Sequence, residues 1–264
     1  MSTEPFSLIY IALAAFLSVA PVEPVEAAVN SIQSDETFAF SPEGSIKVQN
    51  INGLIEITGW DQSEVRVVTT KTGKNAQELE HAISQQKHTE DTLTIKTNIE
   101  PVSKGFLGIG RKRSSASIDY KIWAPKQSKL NEIRSVNGRV EIRDIQGPVD
   151  VETVNGPAKA EGLGSDVEIS TVNGPINASL PQAPDNGSIK LETVNGRIEL
   201  KLPPNVDAEI KAKAVNGSIK NEFGLSTEKK FPIGRELKGT LGNGKLDVKL
   251  KSVNGAINVR KFAD

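Results

Sequence analysis

Thr153-Val154-Asn155-Gly156, Thr171-Val172-Asn173-Gly174-Pro175-Ile176 and Thr193-Val194-Asn195-Gly196-Arg197-Ile198 spell one phrase three times in succession. The phrase also stands at Ser135-Val136-Asn137-Gly138-Arg139-Val140, Ala214-Val215-Asn216-Gly217-Ser218-Ile219 and Ser252-Val253-Asn254-Gly255-Ala256-Ile257, and an early copy reads Ile51-Asn52-Gly53-Leu54-Ile55. From Asn137 onward the asparagines are spaced by 18, 18, 22, 21 and 38 residues. A period of roughly 20 residues indicates stacked repeat units. The last step approximates two units, with a diverged segment around Gly242-Asn243-Gly244 inside it. Each period has room for two short strands, such as Arg139-Val140-Glu141-Ile142 and Val149-Asp150-Val151-Glu152, with a turn at Gln146-Gly147-Pro148 between them.

Two readings of the phrase compete. Asn-Gly between alternating apolar residues is a strong hairpin signal. A two-residue turn at Asn195-Gly196 would set Glu192 opposite Glu199, and one at Asn216-Gly217 would set Lys213 opposite Lys220. Like charges so placed destabilise a pair. Pro157 and Pro175 also remove the amide that closes such a turn. The alternative is a β-solenoid, each period one coil of about 18–22 residues stacked on the next. Valine then stacks on valine inside, asparagine on asparagine through amide hydrogen bonds, and glycine occupies corners that need positive φ. The solenoid is the preferred reading: an all-β fold over 126–264, preceded by a β-rich region over 29–125 that carries one helix. The structural repeat residues are Asn52, Gly53, Asn137, Gly138, Asn155, Gly156, Asn173, Gly174, Asn195, Gly196, Asn216, Gly217, Asn254 and Gly255.

Composition narrows the function classes. The 264 residues hold no cysteine, which excludes disulfides, thiolate catalysis and cysteine-based zinc sites. With Lys+Arg 32 against Asp+Glu 33, nothing points to nucleic acid. Beyond Lys129 the only aromatic residues are Phe223, Phe231 and Phe262, so the repeats must pack with Val, Ile, Leu and Ala.

Residues 1–28 read as a secretory signal: an apolar run from Phe6 to Ala20, then small residues near Ala27. The run is short for a membrane span of about 20 residues. Against this reading, Met1 to Pro5 carries no Lys or Arg and includes Glu4, which leaves an uncleaved anchor or a buried helix as alternatives. In the first region, Glu64–Thr70, Thr92–Thr97 and Ser117–Trp123 alternate as strands. A helix is expected over about 76–88, capped by Asn75 with Glu78 three residues on, its stripe formed by Ala76, Leu79, Ala82 and Ile83. His81 and His88, the chain's two histidines, are read as surface residues of that helix, without a metal. The Gly-rich loop 102–115 reads as a solvated connection between strands; the alternative is that its Lys104, Arg111, Lys112 and Arg113 form a contact for an anionic polymer. It leads to a strand, not to the helix that a phosphate-binding loop requires.

The leader, the run Gly44-x-Ile46-x-Val48-x-Asn50-x-Asn52-Gly53-x-Ile55-x-Ile57-x-Gly59-Trp60 and the serial Val-Asn-Gly units resemble the bacterial "putative adhesin" family of β-strand-repeat proteins, a domain of unknown function. The resemblance covers about Phe38 to Val259 and implies a β-solenoid-like exported protein at the cell envelope, with no catalytic motif to carry over. The helix and the basic loop depart from the pattern. The expectation is an exported, non-enzymatic adhesin-like binding or scaffold module in the periplasm, on the surface or secreted. It needs no cofactor, no metal and no nucleic acid, and meets an envelope protein or polysaccharide. The alternatives are a polysaccharide-acting β-helix enzyme and a periplasmic assembly or sensing component. The last coil, Val253 to Val259, is expected to leave a final edge that Arg260 and Lys261 blunt or that pairs in an edge-mediated oligomer.

Overall fold

The computed structural model describes residues 30–100, 103–104, 111–112, 114–231 and 233–262, so the expected leader lies outside them. In chain order, β1 (Asn30–Ala39), β2 (Ser45–Asn52), β3 (Ile55–Trp60) and β4 (Glu64–Gly73) lead to the helix α1 (Ala76–His81). Then come β5 (Ala82–His88), β6 (Thr92–Ile99), the two-residue strands β7 (Ser103–Lys104) and β8 (Arg111–Lys112), and β9 (Ser117–Pro125). The repeats follow as strand pairs joined through Val-Asn-Gly: β10 (Lys129–Asn137) with β11 (Val140–Arg143), β12 (Val149–Asn155) with β13 (Ala158–Glu161), and β14 (Val167–Asn173) with β15 (Ile176–Ser179). Next are β16 (Gly187–Asn195) with β17 (Ile198–Leu202), and β18 (Ala208–Asn216) with β19 (Ile219–Asn221). A hairpin of β20 (Thr227–Lys229) and β21 (Arg235–Leu241) precedes the last pair, β22 (Leu246–Asn254) with β23 (Ile257–Lys261).

These strands make two large mixed sheets. One has the order β1-β4-β9-β3-β11-β13-β15-β17-β23-β19, the other β20-β21-β18-β22-β16-β14-β12-β10-β2-β6-β5. The strand before each Val-Asn-Gly lies in the second sheet and the strand after it in the first, so the phrase is a bend between sheets and not a hairpin tip. Successive units pair in parallel and in register, with Asn137 beside Asn155, Asn173 beside Asn195, and Asn254 between Asn195 and Asn216. Glu192 therefore faces Ser170 and Lys251 across the ladders and not Glu199, while Lys213 lies between Lys251 and Glu236 and not opposite Lys220.

Strand periodicity of two explains the core. In β12, Val149, Val151 and Thr153 point inward while Asp150, Glu152 and Val154 point out. The inward rows stack: Ile55, Val140, Ala158, Ile176, Ile198, Ile257 and Ile219 are all buried along one sheet. Burying an aliphatic side chain of that size stabilises by about 1.5–3 kcal/mol. Both sheets run across Pro125-Lys126 without a break, because β3 pairs with β11 and β2 with β10.

At one end, β6 and β9 add a further parallel layer, flanked by the antiparallel β5, β4 and β1. Tyr120 is buried there, its hydroxyl donating to Ser84 Oγ at 2.9 Å and bonded to Thr97 Oγ1 at 2.8 Å. The helix expected over 76–88 is one short helix, Ala76–His81, and Ala82–His88 is strand β5, paired along its length with β6. Among the described residues no helix is long and apolar enough to cross a membrane.

At the other end the chain departs from simple succession. The β22–β23 unit sits between β16–β17 and β18–β19, so the last unit in sequence is interior in space. Two expectations are corrected by this order. Val253 to Val259 has no open edge, since β17 and β19 flank β23. The long step between Asn216 and Asn254 holds no second Val-Asn-Gly unit but the antiparallel β20–β21 hairpin, and Gly242-Asn243-Gly244 is the turn leading into β22.

Candidate functional site

The Val-Asn-Gly bends line up as one long edge of the molecule. Its asparagines form a continuous side-chain ladder. Asn137 Nδ2 donates to Asn52 Oδ1 at 3.0 Å, Asn155 to Asn137 at 2.9 Å, Asn173 to Asn155 and Asn195 to Asn173 at 2.8 Å each, Asn254 to Asn195 at 2.8 Å and Asn216 to Asn254 at 3.0 Å. The glycines beside them form a backbone ladder, in which Gly138 N donates to Asn155 O at 3.1 Å and Gly156 N to Asn173 O at 3.0 Å. Under the bend, the buried hydroxyls of Thr153 and Ser252 donate to the carbonyls of Gly156 and Gly196 at 3.1 Å.

Close approach is what these positions demand of glycine. A Cβ on Gly138 would stand 1.9 Å from Gly53 O, and one on Gly174 2.1 Å from Gly156 O. Positive φ, the expected reason, is not shared along the row: Gly53 has φ 115°, Gly156 and Gly255 sit at the rim of that region at 155° and 159°, and Gly138, Gly174, Gly196 and Gly217 lie outside it.

The valines reverse the expectation of an inward stack. Val136, Val154, Val172, Val194, Val215 and Val253 are each 40–45% exposed, and the position facing the core is the preceding Ser, Thr or Ala. Counting by twos from Val149 and Val151 reaches Thr153, so the signal was present in the strand's own alternation. The six valines form a solvent-facing apolar row about 24 Å long at the usual strand spacing. Five of them line a groove of about 530 Å³.

The groove's other wall is the outward row two residues earlier, where charges come in pairs. Arg134 meets Glu152 at 3.2 Å, Lys251 meets Glu192 at 2.8 Å, and Ser170 stands uncharged between the pairs. One row further from the bend, burial raises the Asp150 carboxyl above its usual value, and Glu152 and Glu168 add to the effect against the opposing Arg134. Lys190 holds Glu168 at 2.7 Å. The residues lining this second depression, of about 300 Å³, include no aromatic ring to stack on a sugar.

Other sequence-expected residues fall away from this edge or outside the description. His81 Nδ1 is 2.7 Å from Gln77 O, while the His88 ring stacks on Phe38 at 4.0 Å. Among the described residues no group of three or more His, Asp and Glu side chains is placed to hold a metal. Lys104 and Arg111 pair across β7 and β8, Lys112 follows in β8, and Arg113 lies outside the described residues.

The sequence profile of the Toastrack DUF4097 family matches residues 114–260, more than half of the chain. Among solved structures, a "putative cell adhesion protein" from Clostridium sporogenes aligns over 88% of this chain and 100% of its own at 14% identity, with a TM-score of 0.51. A "putative adhesin" from Bacteroides fragilis aligns over 88% and 97% at 11% identity, with a TM-score of 0.39. The first of these likenesses is one of fold. None of the curated proteins matches the chain.

Proposed function

The chain belongs to the Toastrack DUF4097 family, and on that premise we propose that it is an exported, non-enzymatic binding or scaffold module of the adhesin-like kind, built as a short β-solenoid. The solenoid reading rests on parallel, in-register pairing of successive units, each crossing from one sheet to the other at Val-Asn-Gly. The binding reading is carried by one observation, the row of exposed valines over a groove that crosses five strands. A contiguous apolar surface of this kind is what an interaction site presents. Its charged wall is neutralised pairwise, so the groove suits an extended, uncharged or zwitterionic polymer of the envelope, a protein segment or a polysaccharide.

The test uses the chain from Val29, which contains every described element, and the double variant Val154→Lys/Val194→Lys. Both are immobilised and presented with solubilised envelope proteins and with a glycan array. The wild-type chain is expected to retain a defined ligand that the variant, melting at the same temperature, does not hold. Retention that is equal for both would remove the groove from the reading, and retention by neither would overturn the binding function itself.

A further inference from the structure

The valine row does not stop at the last rung. Beyond Val215 the β20–β21 hairpin reaches the same edge, and a Cβ on Gly234 would lie 3.8 Å from Val215 Cα and 3.1 Å from Ala214 O. Lys230 N donates to Gly234 O at 3.0 Å and closes the hairpin's tip. On that tip Phe231 is 99% exposed and Ile233 59% exposed, the two most exposed large apolar side chains among the described residues. A fully exposed phenylalanine forgoes the stabilisation that burial would return. The fold spends none of that on its own core.

Charge decides what should cover it. Lys229 and Arg235 face each other across the hairpin, and neither has an ion pair among the described residues. Lys230, between them and the tip, is shared by Glu228 and Glu236 at 3.2 Å each. Further along the edge Arg197, exposed and directly after Gly196, is likewise without an ion pair among the described residues. An apolar wedge beside two cations, Lys229 and Arg235, that hold no ion pair among the described residues is complementary to a surface that is apolar beneath and anionic at its face, which describes an anionic lipid bilayer. A sequence echo supports the reading. Lys104-Gly105-Phe106-Leu107-Gly108-Ile109-Gly110-Arg111 and Lys230-Phe231-Pro232-Ile233-Gly234-Arg235 both spell a lysine, a phenylalanine and Ile-Gly-Arg in that order.

We propose that the β20–β21 tip seats the Val-Asn-Gly edge on an anionic lipid surface, with Phe231 and Ile233 entering the interface and Lys229 and Arg235 meeting lipid phosphates. This contact is separate from the groove, and the protein can hold a polymer along the valines only where the bilayer leaves them open.

Co-sedimentation with vesicles tests the proposal, using the chain from Val29 so that the apolar leader contributes nothing. Equimolar phosphatidylglycerol and phosphatidylcholine is compared with phosphatidylcholine alone. Binding is expected to the anionic vesicles, at least about tenfold weaker to the neutral ones, and weakened at least about tenfold by Phe231→Ser/Ile233→Ser at unchanged melting temperature. Lys229→Gln/Arg235→Gln is expected to erase the preference for anionic vesicles. Absence of binding to both vesicles, or anionic binding that the tip variants leave intact, overturns it. The uncharged groove variant Val154→Ser/Val194→Ser is expected to keep its vesicle binding while losing the ligand of the groove, so failure here and failure of the groove reading are told apart.

Discussion

Gly174 has a hydrogen where any other residue would place a Cβ 2.1 Å from the Gly156 carbonyl oxygen, and that oxygen belongs to the neighbouring backbone. Relief would require separating two ladders, because no flexible side chain is there to give way. Gly174→Ala is therefore expected to cost about 3 kcal/mol, at the upper end of overpacking penalties. Gly224 offers the contrast: its φ is 74°, yet nothing lies within 4 Å of where a Cβ would stand, so Gly224→Ala is expected to cost only the left-handed backbone penalty of about 1 kcal/mol. Urea denaturation of the two variants measures both, and an equal loss would contradict the close-packing account. The sequence made the repeated glycines legible but pointed to the wrong cause, since a glycine needed for φ and one needed for proximity look the same in a single chain.

Among the elements, strands were read where alternation was strict, as in β4, β6 and β9, and the helix start was read from its cap: Glu78 N donates to Asn75 Oδ1 at 2.9 Å. Its end was not. Helix preferences differ by only a few tenths of a kcal/mol per residue, while Ala82 to His88 gains a complete antiparallel ladder with β6, a partner that local pattern does not reveal. The outer face of the long strands supports a pH prediction. The Asp150 carboxyl titrates above its usual value in the folded chain, so the fold favours the protonated form and loses stability as pH climbs from the ordinary carboxylate range through that raised value. Asp150→Asn is expected to melt higher than the parent near neutral pH, with the gap closing as pH falls to the ordinary carboxylate range. A gap independent of pH in thermal melts would exclude this electrostatic origin.

For the whole molecule, the interior position of the last unit matters most. The sequence could not disclose it: Lys249 and Lys251 in β22 present the same pattern as Lys211 and Lys213 in β18, so either strand would set a lysine beside Glu192 in β16. Every unit carries the same bend, and the short 203–207 loop easily spans two strand spacings, about 10 Å. The consequence for stability is specific. Ile257, fully buried between Ile198 and Ile219, is expected to cost about 2–5 kcal/mol on substitution by alanine. Ile219, on the edge strand and 7% exposed, should cost less. Chemical denaturation that ranked Ile219→Ala as the more damaging would place the sequence-terminal unit at the end of the stack after all.

Asn-Gly is also the pair in which a backbone amide most readily attacks the preceding carboxamide, expelling ammonia to close a cyclic imide that water then opens to aspartate or its isomer. Along most of this edge the attacking amide is already engaged, Gly174 N with Asn195 O at 3.0 Å and Gly196 N with Asn254 O at 3.1 Å, while each carboxamide is held by its neighbours. The ladder that joins the units thus preserves the residues it is made from, and among its rungs chemical ageing should begin at Asn216, which has no successor to engage the amide of Gly217.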